Sequence, residues 1–515
     1  MPRLATAKRC TAQINGSRPP YRRLPWRARR PLVHRRCFPV LAPAEFGVKV
    51  TSLLVAVVMT VEATFASRPA MAEVYQGAPA AEPVMVQLFE WRWSDVAIEC
   101  EEWLGPKGYQ AVQISPPNEH IQGDEWWVRY QPVTYNLTSR SGTQADFADM
   151  VKRCSLAGIE VWADVVANHM AAPPQGTAAG IGGSSYRSRS FPDYAPRDFH
   201  HLAGNEDANC AVDNYADRQN VQSCDLVGLA DLDTGSPAVR SRIAAYIAHL
   251  ASLGVKGVRM DAAKHMPAAD VAHILDMVSA DRLSVVQEVI RGAGEAVDPQ
   301  EYIGNGLVTE FGYTTELHNH FRAHGQLQYL QTLGPAWGLL QSADSLVFVD
   351  NHDRQRSDPA STLTYKDGSL YTLANVFTLG FPYGHPRVMS SFYLEDVNQG
   401  PPATPVHAAG RAAACGDGQA WVCEHRQAAI SAMVGFHSAV GHAPVANWQT
   451  YADGDMIAFS RGAVGFLAIN RADTDVAELV DTGLPTGMYK DIIGLLAGVF
   501  ASSSFLRGLK TPRQL

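Results

Sequence analysis

The fold is decided by the stretch GVRMDAAKH, residues 257–265. An amphipathic run with apolar residues at helical spacing precedes it, and Gly254 supplies a helix stop. In the strand that follows, alternate side chains face opposite sides, so Arg259 and Asp261 share one face. A buried arginine and a buried carboxylate are costly unless they serve each other or a ligand. By itself the stretch is equally compatible with a buried ion pair and with a reactive carboxylate.

Eight short apolar runs, separated in several places by amphipathic patterns, extend along the chain from residue 84. We predict strands at residues 84–89, 110–114, 159–166, 257–261, 284–288, 306–309, 345–350 and 376–381. Helical patterns between them include residues 144–157 and 268–279. Eight strands that alternate with helices are typical of an α/β fold with a parallel (β/α)8 TIM barrel.

The interval between the third and fourth strands predicts an inserted domain. Asp164 and Asp261 are 97 residues apart, whereas one strand–helix unit of a barrel takes about 31 residues. We therefore expect a domain at 169–235, inserted between barrel segments 82–168 and 236–400. Short β-like runs after residue 401 predict an all-β domain at 401–515. Its pattern fades after about residue 489, which leaves the completeness of that domain open.

The first 72 residues differ in charge from the rest of the chain. They contain 13 Lys and Arg and 2 Asp and Glu, which leaves 30 basic and 49 acidic residues for the remainder. The acidic remainder does not interleave basic and aromatic residues, so we expect no nucleic-acid binding. An apolar run at 50–61, followed by small residues at 69–72, predicts a signal or leader region at 1–72 that is cleaved during secretion. The run is too short to span a membrane, so we expect no membrane association after cleavage.

Six cysteines follow the leader: Cys100, Cys154, Cys210, Cys224, Cys415 and Cys423. An even number without CxxC pairs favours disulfide bonds in an oxidising, extracellular compartment over a zinc site. The pattern of cysteines alone leaves their pairing open.

Acidic residues stand at the ends of several predicted strands. Asp261 ends the fourth strand, Glu288 ends the fifth, and Asp353 follows the seventh. The carboxyl ends of barrel strands meet at one rim, where active sites are built. Apolar neighbours should raise the pKa of Glu288, and Arg259 should keep Asp261 ionised. A protonated acid facing an ionised carboxylate is the pair that a retaining glycosidase needs.

Aromatic residues in the loop after the second strand suggest a carbohydrate ligand. Trp126 and Trp127 are adjacent, and Tyr130 follows them. A tryptophan pair is often part of a core, but polar residues flank this one on both sides. We therefore predict an exposed platform on which sugar rings stack.

Residues 164–169, 257–265, 287–289 and 348–353 resemble, in order and spacing, the four short sequence blocks of the α-amylase family, glycoside hydrolase family 13. The similarity covers most of residues 82–475 and is greatest to the chloride-dependent branch found in animals and some bacteria. It implies a barrel with a domain inserted after strand 3 and a C-terminal β-sandwich. The implied reaction is the retaining endo-hydrolysis of α-1,4-glucosidic bonds in starch, glycogen and malto-oligosaccharides, and we expect a monomer.

The resemblance also implies roles for individual residues. Asp261 corresponds to the nucleophile, Glu288 to the acid/base and Asp353 to the stabiliser of the transition state, while Asp164 supports the rim. Without the resemblance, His352 would be interpreted as a core histidine and Lys264 as a solvated lysine. The implied sugar contacts are Trp126, Trp127, Tyr130, Gln131, His169, Lys264 and His352.

Two ions and three disulfides follow from the same resemblance. A structural Ca²⁺ between the barrel and the inserted domain would be held by oxygen atoms of Asn168, Gln222, Asp231 and His265. An activating Cl⁻ would be held by Arg259, Asn351 and Arg387. The implied disulfides are Cys100–Cys154, Cys210–Cys224 and Cys415–Cys423.

Alternative functions share the same acids and stay open. A transglycosylase that acts on α-glucans, or an exo-acting maltogenic hydrolase, would form the same covalent intermediate. A non-catalytic carbohydrate-binding homologue is disfavoured because all three acids are present. The resemblance does not extend to residues 357–359, where animal members carry a Gly-rich loop with a histidine.

Overall fold

A computed structural model describes residues 56–60, 82–200, 210–278, 283–408, 412–493, 499–501 and 506–509. Most of the predicted leader, including the expected cleavage site at 69–72, lies outside these ranges. Within them, no helix has both the length and the hydropathy required to cross a membrane.

Eight parallel strands close into a barrel in chain order, which confirms the predicted fold class. The register places Arg259 beside Asp164 on one neighbour and beside Val286 on the other. The strands are β1 Met85–Leu88, β2 Ala111–Ile114, β3 Glu160–Val166, β4 Gly257–Asp261, β5 Ser284–Gln287, β6 Leu307–Thr309, β7 Ser345–Val347 and β8 His385–Ser390.

Helices surround the barrel between its strands. The patterns at 144–157 and 268–279 are confirmed as helices, and Thr143 with Asp146 forms a capping box at the start of the first. The main helices are α1 Trp93–Glu99, α2 Gln144–Leu156, α3 Pro237–Ser252, α4 Ala268–Asp276, α5 Phe311–Arg322, α6 Ser369–Gly380 and α7 Ala428–Val440.

The predicted eighth strand at 376–381 is wrong. These residues belong almost entirely to α6, and the eighth strand is β8, which begins at His385. The helix is buried on nearly all sides, from Tyr371 to Gly380, so its sequence is a continuous apolar run rather than an amphipathic one. Such a run cannot be told from a buried strand by periodicity.

The segment between β3 and α3 forms the inserted region expected after the third strand. It contains short antiparallel pairs, His169–Met170 with Ala230–Asp231 and Ala178–Ala179 with Ser185–Tyr186, and the helix Arg218–Ser223. The disulfide Cys210–Cys224 closes part of this region. Cys100–Cys154 and Cys415–Cys423 are also bonded, so all three implied pairings are confirmed.

The all-β region begins later than residue 401. Helix α7 packs against α6 and so belongs with the barrel helices, and the first strand of the C-terminal sheet starts at Val445. The strands are β9 Val445–Tyr451, β10 Met456–Arg461, β11 Gly465–Asn470, β12 Val476–Val480, β13 Met488–Asp491, β14 Val499–Ala501 and β15 Leu506–Leu509.

A strand from the predicted leader completes the C-terminal sheet. Residues Ala56–Thr60 lie between β11 and β13 and pair antiparallel with both. The sequence pattern does not predict this pairing, because the same apolar run is typical of a leader segment that is removed.

Candidate active site

Three acidic side chains contact one arginine inside the carboxyl-terminal end of the barrel. Arg259 Nη1 donates to Asp164 Oδ1 at 2.6 Å and to Asp261 Oδ1 at 2.8 Å. Its Nη2 lies 2.5 Å from Glu288 Oε1. All four side chains are almost completely buried. The structure therefore brings Asp261 and Glu288 together around a shared guanidinium group.

The turn after β4 directs a backbone amide at the second of these acids. Ala262 has φ 48°, in the left-handed region that is unfavourable for residues other than glycine. In this conformation its N–H donates to Glu288 Oε2 at 3.0 Å. Glu288 in turn donates its own N–H to the carbonyl of Met260 at 3.0 Å. The strained residue directly after Asp261 thus helps to hold Glu288 in place.

Asp353 opens onto the same cavity as Glu288. It follows the loop after β7, is half-buried, and has Oδ2 3.2 Å from His352 Nε2. Both acids line a cavity of about 370 Å³, whose wall also includes Ala262, the residue next to Asp261. All three predicted catalytic acids therefore lie at or beside one cavity.

The charges of this cluster do not balance. Burial raises the pKa of Asp261 well above its usual range, and the lowering effect of Arg259 does not overcome it. Arg259 does lower the pKa of Asp261, but our expectation of a net lowering is wrong, because burial outweighs it. The same guanidinium also contacts Asp164 and Glu288. Burial, followed by the charge of Glu288, raises the pKa of Asp353 to about 7. Around neutral pH the cluster thus retains protons.

His352 is held in an aromatic stack beside Asp353. Its ring lies 4.7 Å from the ring of Phe89 and 5.1 Å from that of Tyr130, measured between centroids, and both pairs are stacked. Gln87 Nε2 lies 3.1 Å from His352 Nδ1. Burial lowers the pKa of His352 well below its usual value, so the ring is neutral. It can accept from Gln87 and present an Nε2–H group toward Asp353.

The two predicted platform tryptophans are half-buried rather than fully exposed. Trp126 Nε1 donates to the carbonyl of Val397 at 2.8 Å, and Trp127 Nε1 donates to Asn398 Oδ1 at 3.2 Å. The ring of Trp126 lies 5.6 Å from that of His352. The pair therefore borders the site, and the loop after β8 covers part of it.

The other predicted sugar contacts already have protein partners. Tyr130 is buried and donates from Oη to Asp164 Oδ2 at 3.0 Å. Gln131 Oε1 accepts from the N–H of Ala172 at 3.1 Å. His169 is buried, with Nε2 2.9 Å from the carbonyl of Tyr130, and burial lowers its pKa to about 4.

Lys264 lines the cavity and is buried, unlike a solvated lysine. Its Nζ donates to the carbonyl of Ile290 at 2.7 Å, pairs with Glu295 and lies 4.8 Å from the ring centre of Tyr215. Glu295 and Tyr215 also line the cavity, and the sequence-based prediction includes neither. Glu295 could have been predicted as a site residue from the sequence, because it follows the strand-end acid Glu288 within a glycine-rich loop.

Asn168 and Asp231 lie close together where the inserted region leaves the barrel. The strand pair after Asn168 is antiparallel, and Leu232 N–H donates to the carbonyl of Asn168 at 3.0 Å. Among the described residues, Asn168 Oδ1 is buried and has no hydrogen-bond partner. Burial raises the pKa of Asp231 to about 7 although His200 Nδ1 lies 2.6 Å from its Oδ2. An orphaned amide oxygen near a buried carboxylate fits a cation that prefers oxygen.

The other two residues predicted for calcium meet at a neighbouring junction. His265 Nδ1 lies 2.9 Å from the carbonyl of Val221, and Gln222 Nε2 donates to the carbonyl of Met266 at 3.4 Å. The charge of His265 contributes to the lowered pKa of His169, the residue after Asn168. The inserted helix that carries Gln222 therefore meets the barrel segment that carries His265.

A second arginine lies buried near Arg259. Arg387 on β8 donates from Nη1 to Gln113 Oε1 at 2.7 Å, and its guanidinium lies 4.5 Å from the ring centre of Phe348. Within the described part of the chain, its Nε has no hydrogen-bond partner. Burial, followed by the charge of Arg259, lowers the pKa of Arg387 to about 10. Asn351 is also buried and accepts from the N–H of Arg354 at 2.8 Å. A buried guanidinium group with this Nε unpartnered among the described residues, beside a buried asparagine, could hold an anion, although Arg259 itself already faces three carboxylates.

Comparison with known proteins gives concordant matches. The sequence matches the family descriptions "Alpha amylase, catalytic domain" over residues 107–318 and "Alpha amylase, C-terminal all-beta domain" over residues 448–503. It is 43% identical over 430 residues to an alpha-amylase-related protein of Drosophila ananassae, which covers 79% of this chain and 85% of the relative. It is 44% identical over 416 residues to an alpha-amylase of Streptomyces violaceus, covering 80% of this chain and 70% of the relative.

A solved structure extends the similarity to three dimensions. The crystal structure of alpha-amylase I from Eisenia fetida superposes with a TM-score of 0.76 at 35% identity and covers 85% of this chain and 97% of that chain. A second crystal structure of that protein contains a mutant in complex with maltohexaose, with a TM-score of 0.75.

Proposed function

The chain belongs to the alpha-amylase family of glycoside hydrolases, and we propose that it is a secreted enzyme that cleaves internal α-1,4-glucosidic bonds of starch and glycogen with retention of configuration. One observation carries this proposal: Asp261 and Glu288 contact the same guanidinium group. That shared contact favours the short carboxyl separation, about 5–5.5 Å, that a retaining mechanism uses.

In the first step, Asp261 attacks the anomeric carbon while Glu288 gives its proton to the glycosidic oxygen. The bond to the leaving sugar breaks, and a covalent glycosyl ester forms on Asp261. The uneven charge of the cluster supports a proton-bearing acid, because one arginine cannot neutralise three carboxylates. Arg259 would keep Asp261 oriented during the attack.

In the second step, Glu288 removes a proton from water, and the hydroxyl oxygen attacks the anomeric carbon. The ester bond to Asp261 breaks, and the product keeps its original configuration. Asp353 lines the same cavity as Glu288 and would stabilise the positive charge that develops on the sugar ring. Its contact with His352 supports that placement.

The remaining predicted residues would bind the sugar chain. His352 would donate from Nε2–H to a hydroxyl group as a neutral ring, because burial lowers its pKa. His169, whose Nε2–H already donates to the carbonyl of Tyr130, would contact the sugar chain without donating to it. Lys264 would contact sugars on the cavity wall it shares with Glu288. The aromatic side chains of Trp126, Trp127 and Tyr130, with Gln131, would border the chain of sugars.

The residues that would hold calcium are Asn168, Gln222, Asp231 and His265, and the ion would supply a structural link between the inserted region and the barrel. The buried, unpartnered Oδ1 of Asn168 supports this assignment among the described residues. The residues that would hold chloride are Arg259, Asn351 and Arg387, and the ion would supply negative charge beside two arginines. Within the described part of the chain, Arg387 Nε is buried and has no hydrogen-bond partner, which supports that assignment.

Secretion rests on the sequence of the leader and on the cysteines. Three disulfide bonds suit an oxidising compartment. N-terminal sequencing of the exported protein would test the cleavage expected after Ala72. Export with residues 56–60 retained would contradict it.

Incubation with soluble starch tests the catalytic proposal. Endo-hydrolysis with retention predicts a rapid fall in polymer length and α-anomeric products, measured by chromatography and by NMR of the anomeric protons. In a parallel incubation with malto-oligosaccharides, products longer than the starting oligosaccharides would indicate a transglycosylase. Release of maltose alone from the chain ends of starch would indicate an exo-acting enzyme. Binding without cleavage would indicate a non-catalytic homologue.

A further inference from the structure

One half-buried arginine, Arg140, holds the backbone that carries the two platform tryptophans. Arg140 Nη1 donates to the carbonyl of Asp124 at 3.2 Å, and its Nη2 donates to the carbonyls of Glu125 at 2.6 Å and Trp126 at 3.2 Å. These three consecutive carbonyls lead into the 3₁₀ helix Trp126–Tyr130. A single planar guanidinium thus fixes the path of the chain directly before the tryptophan rings.

A carboxylate at the end of β1 orients this arginine. Glu90 Oε2 lies 2.9 Å from Arg140 Nε, and the Glu90 side chain is fully buried. Glu90 has φ 66°, which is strained for a residue other than glycine. Its N–H donates to Ser115 Oγ at 2.9 Å, so the strained turn is held through both the backbone and the side chain of Glu90. The strained backbone at Glu90 thus directs a buried carboxylate at the arginine that holds the loop before the tryptophans.

A second arginine fastens the same loop from inside the 3₁₀ helix. Arg129 is fully buried and donates from Nε and Nη2 to the carbonyl of Pro116, at 3.1 and 2.6 Å. Its Nη1 donates to Ser141 Oγ at 2.8 Å and lies 3.5 Å from Glu90 Oε2. Glu90 therefore faces both cations that hold the loop, and Arg140 is the one of the two that holds the backbone before Trp126.

The loop after β8 presses on the platform from the other side. A Cβ atom added to Gly400 would lie 1.7 Å from the carbonyl oxygen of Asp124, so the two loops are in close contact there. Trp126 and Trp127 also bond to Val397 and Asn398 of that loop. The position of the tryptophans is consequently set between Arg140 and this loop.

We propose that Arg140, oriented by Glu90, is a positioning residue that fixes Trp126 and Trp127 for the binding of the sugar chain. The inference rests on the proposed function, since it concerns the platform of the same site. Arg140 touches neither the acids nor the cavity that they line, so it acts on substrate affinity through the tryptophans and leaves the chemical step unchanged.

Kinetics of Arg140→Gln on soluble starch and on maltoheptaose test this role. We expect KM to rise about fivefold or more, with kcat within about twofold of wild type. Glu90→Gln keeps the shape of the side chain and should give a smaller rise in KM. Arg153→Gln, which breaks an ion pair with Glu101 on the outside of the barrel, is the matched control and should change neither constant.

A double-mutant cycle with Trp127→Ala separates positioning from a general loss of structure. If Arg140 acts through the platform, Arg140→Gln adds little to the KM of the Trp127→Ala protein. Additive effects on KM, or a fall in kcat with KM unchanged, would overturn the inference. If the Arg140 variant does not fold, the same cycle with Glu90→Gln decides the question. Wild type that fails to cleave starch refutes the proposed function, whereas the ratios between variants concern the positioning role alone.

Discussion

The barrel rim and the C-terminal sheet are built in opposite ways. At the rim, each acid lies at or shortly after the end of a strand, and short stretches of sequence carry both the strand and the functional side chain. In the C-terminal sheet, Ala56 pairs with Ile469, and the strand that separates β11 from β13 comes from the far end of the chain. Local sequence thus specifies the rim, whereas the sheet depends on pairing over nearly the whole chain.

The comparison implies that substitutions at the rim abolish catalysis without affecting the fold. Changes in the C-terminal sheet should instead lower stability without affecting catalysis. The largest effect is expected for Asp261→Asn, which removes the nucleophile and keeps the size of the side chain. Starch cleavage should fall about 10³-fold or more, with an unchanged melting temperature. Activity within tenfold of wild type would exclude Asp261 as nucleophile, and Glu101→Gln on the barrel exterior provides the control.

The next effect concerns the strand Ala56–Thr60. A protein that begins at residue 73, as the proposed cleavage requires, lacks this strand and leaves β11 and β13 without their shared partner. Compared with a protein that begins at residue 51, it should lose about 2–4 kcal/mol of stability and melt several degrees lower, because backbone groups at new sheet edges are unpaired. Its kcat per folded molecule should be unchanged. Equal melting temperatures would show that the sheet does not depend on residues 56–60.

Calcium removal should act on the junction between the barrel and the inserted region. EDTA should lower the melting temperature by several degrees, which corresponds to about 2.7 kcal/mol if the ion is present at a hundredfold excess over its Kd. Asp231→Asn should melt lower in calcium and respond less to EDTA. His249→Gln on the barrel helix α3 should respond like wild type. A melting curve that EDTA leaves unchanged would argue against the site.

The smallest effect is expected at the anion site. Wild-type kcat should rise several-fold as NaCl replaces a chloride-free salt at constant ionic strength, and Arg387→Gln should remove this response, because the buried guanidinium group that would hold the anion is gone. Arg322→Gln, which lies on the exterior helix α5, is a control for loss of charge. Wild type that does not respond to chloride would refute this assignment.

The sequence by itself determined the barrel and the rim acids, and its resemblance to the alpha-amylase family implied the disulfide pairs that the structure contains. Strand ends in a parallel barrel meet at one rim, so the order of strands and the positions of Asp261, Glu288 and Asp353 suffice to place the acids together. The site residue Glu295 could also have been predicted from its position, because it lies in a glycine-rich loop after Glu288.

Only the tertiary structure decided how these residues share charge and which elements surround them. Arg259 faces three carboxylates instead of one, and burial outweighs its lowering effect on the pKa of Asp261. The apolar run at 376–381 became a helix because its surroundings bury it on all sides. Residues 56–60 became a strand because two edges of a distant sheet were open to it. Burial and pairing are properties of the surroundings, and a local pattern of residues does not contain them.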